Sequence, residues 1–185
     1  MAGADNARKT PHLEPAQSGK QSGISPGEVT MRSGETLIPG KGETITCIRS
    51  GLDGGPFVFD FELDPVVKGP PIHTHEEHNE TFEILQGELM IKVIGRIHHC
   101  KAGDRLTLTP NDPHTFWNPS KTARVSCRVE HGGRFERAII QPDLARVALF
   151  IHTVDAGSIR VHNPVLRLLM RCIATVAGMA GKKPV

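Results

Sequence analysis

The sequence predicts an all-β fold, an antiparallel sandwich or barrel, on three observations. Between Glu35 and His131 short apolar runs recur at roughly ten-residue spacing. Gly, Pro, Asn and Asp punctuate them, drawn from 19 Gly and 14 Pro in 185 residues. Within the clearest run, Phe57, Phe59, Phe61 and Leu63 alternate with Val58, Asp60 and Glu62, the period of a strand with one buried face.

Taken in order, residues 1–30 come first, rich in Ala, Gly, Ser, Pro and Gln with almost no large apolar side chains. They bury too little to offset their ordering entropy, so a mobile arm is expected. Strands are predicted at Thr44–Arg49, Phe57–Leu63, Thr81–Leu85, Leu89–Ile94, Leu106–Thr109, His114–Trp117 and Arg124–Glu130. These fall in an expected barrel over 31–133, followed by a helical extension over 134–185. In the extension, Arg134–Ile140 and Asp143–Ile151 read as helices interrupted by Pro142, and Asn163–Pro164 supplies a cap and a first helical residue. The segment Val165–Ala180 then carries Leu166, Leu169, Met170, Ile173 and Val176 with Arg167 and Arg171, an amphipathic helix that would pack on the barrel or on a neighbouring subunit. The alternative is contact with a membrane surface, because Arg160, Arg167, Arg171, Lys182 and Lys183 lack a nearby acidic partner along the sequence.

Composition removes several function classes. The formal net charge is +2, with no dense basic stripe interleaved with aromatics, so nucleic acid is not an expected partner. Cys47, Cys100, Cys127 and Cys172 are far apart and form no C-x-x-C pair. They therefore read as reduced thiols rather than a zinc-thiolate site or a disulfide framework. No secretory apolar segment opens the chain, and no run is long enough to span a bilayer. A soluble, cytoplasmic protein is expected.

The chemistry lies in His73-Thr-His75-Glu-Glu-His-Asn-Glu80 and the Gln-Gly87-Glu-Leu turn that follows. On a strand, side chains two apart share a face, so His73 and His75 direct both imidazoles to one point. Glu80, on a strand beside the hairpin turn at Gly87, can converge with them. His114 sits in a second strand–turn–strand pattern that begins at Gly103. Three imidazoles and one carboxylate suit one divalent cation, Fe, Mn, Ni, Zn or Cu, and leave coordination positions open for a small molecule.

These residues resemble the cupin superfamily, whose first motif is G-x5-H-x-H-x3,4-E-x6-G and second G-x5-P-x-G-x2-H-x3-N. His73, His75, Glu80 and Gly87 match the first; Gly103, His114 and Asn118 match the ends of the second at its overall length. The chain departs from the pattern in the first motif's leading glycine, for Gly69 stands too close to His73. It departs again where Thr109 and Asn111 replace the inner Pro and Gly. Asn tolerates a left-handed turn better than other non-glycine residues, so Asn111 is expected to keep the backbone path.

The resemblance covers roughly residues 35–131 and implies a jelly-roll β-barrel with the metal inside, His73, His75, Glu80 and His114 as ligands, and a homodimer. It implies a metal-dependent enzyme of the dioxygenase or isomerase class acting on a small organic molecule, with Glu80 also a catalytic base. A non-catalytic cupin that senses or sequesters a small ligand is the alternative. The nucleotide-sugar epimerase type is disfavoured because the chain has no Tyr. A cupin regulator is disfavoured because no helix-turn-helix pattern flanks the barrel. His78 is assigned to the turn between ligands, and His98, His99, Glu76, Glu77 and Glu83 to solvent. Phe116 and Asn118, alternating with His114, would line the cavity with Phe59 and Phe61, while Phe57 lines it or fills the core.

Overall fold

The computed structural model describes residues 30–52, 54–132, 135–141, 143–154, 157 and 159–184. The arm expected over residues 1–30 lies outside them except for Thr30, and so does Pro142. The strands are β1 (Thr36–Leu37), β2 (Glu43–Arg49), β3 (Phe57–Leu63), β4 (His73–Thr74), β5 (Glu80–Gln86), β6 (Glu88–Val93), β7 (Arg96–Lys101), β8 (Arg105–Leu108), β9 (His114–Trp117), β10 (Val125–His131) and β11 (Arg160–Val161). The helices are α1 (Phe135–Ile139), α2 (Leu144–Thr153) and α3 (Pro164–Met179).

The strands form two antiparallel sheets, ordered β1-β2-β3-β10-β5-β8 and β11-β4-β9-β6-β7, the jelly-roll arrangement. Alternation places the core between them. Phe59, Phe61 and Leu63 of β3, Cys127 and Val129 of β10, Ile84 of β5, and Leu89 and Ile91 of β6 are all buried in one cluster. Each strand read from the sequence is present. The strand β7 escaped that reading because only Cys100 of its six residues is buried, so its pattern lacks an apolar face. It is joined to β6 by a tight turn in which Ile94 and Gly95 both take positive φ, 48° and 81°.

The helices begin as predicted. Asp143 Oδ1 accepts from Arg146 N, and Asn163 Oδ1 accepts from Val165 N and Leu166 N ahead of Pro164. The expected seat of the last helix needs correction: α3 packs on α2, where Ala174 meets Ala148 and Leu149 with Met170 and Ile173 alongside. Two of the supposedly unpartnered cations also have partners, Arg160 with Glu76 at 2.8 Å and Lys182 with Asp143 at 3.2 Å. Sequence distance hid both pairs. No helix among the described residues is long and apolar enough to cross a membrane. The short α1 is tied down by the buried Glu136, whose carboxylate accepts from Met31 N, Gly51 N, Thr30 Oγ1 and Ser50 Oγ. That anchor holds Phe135 and Ile139 against the barrel core.

Candidate metal centre

Two hairpins meet at one point. His73 on β4 and His114 on β9 are direct cross-strand partners in one sheet, and Glu80 opens β5 in the other. His75 follows β4 in the loop that leads to Glu80. That loop is held by the turn before β9, where Asn111 takes φ 67° and donates its N–H to His75 O at 2.8 Å. Asn111 thus adopts the left-handed conformation expected where the cupin pattern has Gly. The result is a buried group, His73, His75, Glu80 and His114, whose ligand atoms all lie within 4.8 Å of one another.

The tautomers of two of these imidazoles follow from their outer contacts. His73 Nδ1 lies 2.9 Å from Pro71 O, and His114 Nδ1 lies 2.9 Å from Asp112 O. A carbonyl oxygen can only accept, so each Nδ1 carries the proton and each Nε2 presents its lone pair to the site. Glu80 Oε2 then stands 2.9 Å from His114 Nε2 and 3.4 Å from His75 Nε2. Buried Glu80 Oε2 and His114 Nε2 make no well-aligned hydrogen bond. Electron-rich atoms crowded this closely need a positive species between them. Burial lowers the His114 pKa, but Glu80 outweighs it and the net direction is up. Burial likewise raises the Glu80 carboxyl, yet the adjoining His114 and His75 hold it well below the ordinary carboxylate range. His73 is lowered to about 3, by burial first and by His114 and His75 after it, and so stays neutral.

A fourth histidine adjoins the group. His131 ends β10 as the cross-strand partner of Glu80. Its ring lies edge-on to His75 at 4.2 Å between centroids and stacks on Phe135 at 4.0 Å. Its Nδ1 donates to Gly132 O, its Nε2 is buried without a hydrogen-bond partner, and burial lowers its pKa to about 3. The sequence reading ended this strand at Glu130 and missed it. The signal was there, because His131 continues the inward alternation of Val125, Cys127 and Val129.

The model of the family described as Cupin domain matches residues 59–129, the stretch that carries all four residues of the group. This segment is a cupin domain. A search of curated proteins gives no match. Among solved structures the chain is similar to a sugar phosphate isomerase of the cupin superfamily from Silicibacter pomeroyi, with 21% identity over 50% of this chain and 60% of that one, TM-score 0.45. It is also similar to an RmlC-like cupin from Shewanella frigidimarina, with 20% identity over 54% of this chain and 85% of that one, TM-score 0.46. A third is a predicted oxalate decarboxylase from Thermotoga maritima, with 20% identity over 56% of this chain and 97% of that one, TM-score 0.46. The chain spans 60% of the length of the first of these.

Beside the cupin centre, reached through His73, is a cavity of about 190 Å³. Phe59, Phe61 and Phe116 line it, as the alternation of their strands places them. Asn118 does not. Its buried Nδ2 lies 3.1 Å from Leu63 O, 3.1 Å from Asp64 O and 2.9 Å from Ala123 O, and its Oδ1 accepts from Ser120 N, so it braces three backbone segments. Alternation gave Asn118 the correct face but could not show what waits at the end of the strand. Phe57 fills the core, stacked on Phe59 at 4.8 Å. Gly69 has a local reason of its own: a Cβ there would fall 2.3 Å from the Phe116 ring, which forms a cavity wall. His78 lies between β4 and β5 outside the ligand group.

Proposed function

We propose that this cupin domain holds one divalent cation among His73, His75, Glu80 and His114 and acts on a small organic molecule in the adjoining cavity, as a metal-dependent enzyme of the oxygenase or isomerase class. The observation that carries the reading is the approach of Glu80 Oε2 to His114 Nε2 at 2.9 Å, with the opposite nitrogen of that ring committed to a backbone carbonyl. Such outer-shell carbonyls fix imidazoles as metal ligands. A cation bound there supplies Lewis acidity toward a substrate oxygen, or an open position for dioxygen.

The chain's own residues do the rest. Pro71 O and Asp112 O orient the His73 and His114 rings, while Phe61, Phe82 and Phe116 keep water from the centre. Glu80 does not line the cavity, so in this proposal it takes a substrate proton at the cation and not at the cavity wall. Between the two reaction classes, oxygenation is favoured: apart from His73, the cavity wall offers Glu43 alone to shuttle the protons a polyol isomerisation requires. The same sparse wall favours a second reading, a cupin that binds its ligand without turnover.

Elemental analysis of protein purified without added metal or an affinity tag tests the site; about one equivalent of a transition metal is expected, and none would overturn it. Oxygen uptake by the Fe(II)-loaded protein with a panel of dihydroxylated aromatics and 1,3-diketones separates enzyme from binder. We extend the proposal to a homodimer in the cytoplasm, in keeping with four free cysteines. Sedimentation velocity reads the first part and cell fractionation the second.

A further inference from the structure

The cavity beside the metal group has an unusual wall for a site expected to hold a polar molecule. Phe59, Phe61, Phe82, Phe116 and Val129 line it together with Phe135 of α1. Its polar members are His73, which belongs to the metal group, and Glu43. No Lys or Arg lines it among the described residues.

From this wall we infer that the ligand is an uncharged molecule built on a single ring, its ring against the phenylalanines and an oxygen turned toward His73, and that phosphorylated sugars and dicarboxylates are refused. The inference rests on the metal-site reading for the oxygen and on the cavity alone for the ring.

Size and charge both argue for it. An apolar cavity of about 150 Å³ lined by aliphatic and aromatic side chains binds benzene. The space here, about 190 Å³, fits one ring with a short substituent. A phosphate or a second carboxylate would leave water for phenyl walls with no guanidinium or ammonium to receive it, a costly transfer. Glu43 adds to the refusal. Its carboxylate is the one acidic group on the wall among the described residues, and a second negative charge beside it is opposed by like-charge repulsion. Aromatic faces, by contrast, pair well with a ring in offset or edge-on geometry.

The test is a set of binding titrations with three probes, 4-ethylphenol, succinate and glucose 6-phosphate, on Zn(II)-loaded and metal-free protein, with metal content measured on each sample. The expected result is that 4-ethylphenol binds the loaded protein at least tenfold more tightly than either anion. Ile139→Trp, which fills the cavity from α1, weakens that binding at least tenfold while the melting temperature stays within a few degrees. Should Ile139→Trp fail to fold, Glu43→Lys on a different element decides, and it narrows the preference over succinate at least tenfold. Succinate or glucose 6-phosphate binding as tightly as 4-ethylphenol overturns the inference. So does undiminished 4-ethylphenol binding to folded Ile139→Trp, or an unchanged preference in folded Glu43→Lys. If 4-ethylphenol binds and no sample takes up metal, the ring assignment stands and the metal-site reading fails.

Discussion

At the scale of single residues, the site is built from outer contacts as much as from the ligands. Imidazole tautomers are set here by backbone carbonyls two residues upstream, Pro71 for His73 and Asp112 for His114, one arrangement used on two strands. Removing a ligand should therefore empty the site without unfolding the barrel. His114→Ala and Glu80→Gln are each expected to reduce metal content from about one equivalent to under a tenth, read by elemental analysis after exposure to excess metal. Asn118 predicts the opposite phenotype. Asn118→Ala strips one buried and two partly buried carbonyls of a donor and should destabilise the fold by about 2–3 kcal/mol in urea titration, with metal stoichiometry retained. The cupin motif made Asn118 visible in the sequence, but its strand alternation suggested a cavity residue and the hydrogen bonds show a brace. His131 is the reverse case, a residue outside the motif whose buried ring abuts the centre.

At the scale of elements, turns and close approaches carry the precision. The departure at Asn111 is absorbed by a left-handed backbone, so the loop still delivers its N–H to His75 O. The misplaced glycine of the first motif has a different use. Gly69 N donates to Phe116 O while the Phe116 ring covers the spot where a side chain would begin. Gly69→Ala must displace that ring. It is expected to cost about 1–3 kcal/mol and to shrink the cavity, which thermal unfolding and 4-ethylphenol titration would register together. The helix α1 shows how a five-residue element stays in place: one buried carboxylate gathers donors from Thr30, Met31, Ser50 and Gly51. This anchoring of α1 was not legible beforehand, since the partners of Glu136 stand about a hundred residues away or lie in irregular chain.

At the scale of the whole molecule, closing one sheet over the other forces several imidazoles out of water together. That has a consequence for the metal-free protein. His73 and His131 are held neutral, each lowered to about 3 from an ordinary 6.5. Above pH 6.5 neither state binds their protons and stability is unaffected by them. Below 6.5 the unfolded chain takes up protons that the folded chain refuses, so each group lowers stability by about 1.4 kcal/mol per pH unit until its folded value is reached. Glu80, lowered in the fold, adds a further loss below its ordinary 4.5. His114 is raised, so its contribution is complete below 6.5 and fades only as pH rises beyond that. Urea unfolding in the presence of a chelator should show stability dropping steadily from pH 6.5 to pH 5; a flat profile would mean the imidazoles are not sequestered. The exposed face of α3, with Val165, Leu168, Val176 and Met179, is the surface on which a dimer contact would be sought first.

What the sequence determined by itself is the part of the protein that depends on local order. Period-two alternation placed the main strands, Asn163 and Pro164 placed a helix start, and two histidine-bearing motifs named the residues that converge. These follow from spacing along one chain, and spacing is printed in the sequence. Only the tertiary structure decided that His131 joins the centre, that Asn118 faces carbonyls instead of a cavity, and that α3 rests on α2. It alone showed that Phe82 and Phe135 complete the phenyl wall that Phe59, Phe61 and Phe116 begin beside His73. Each of those outcomes depends on which surfaces two sheets press together, and burial arises between segments that no local pattern connects.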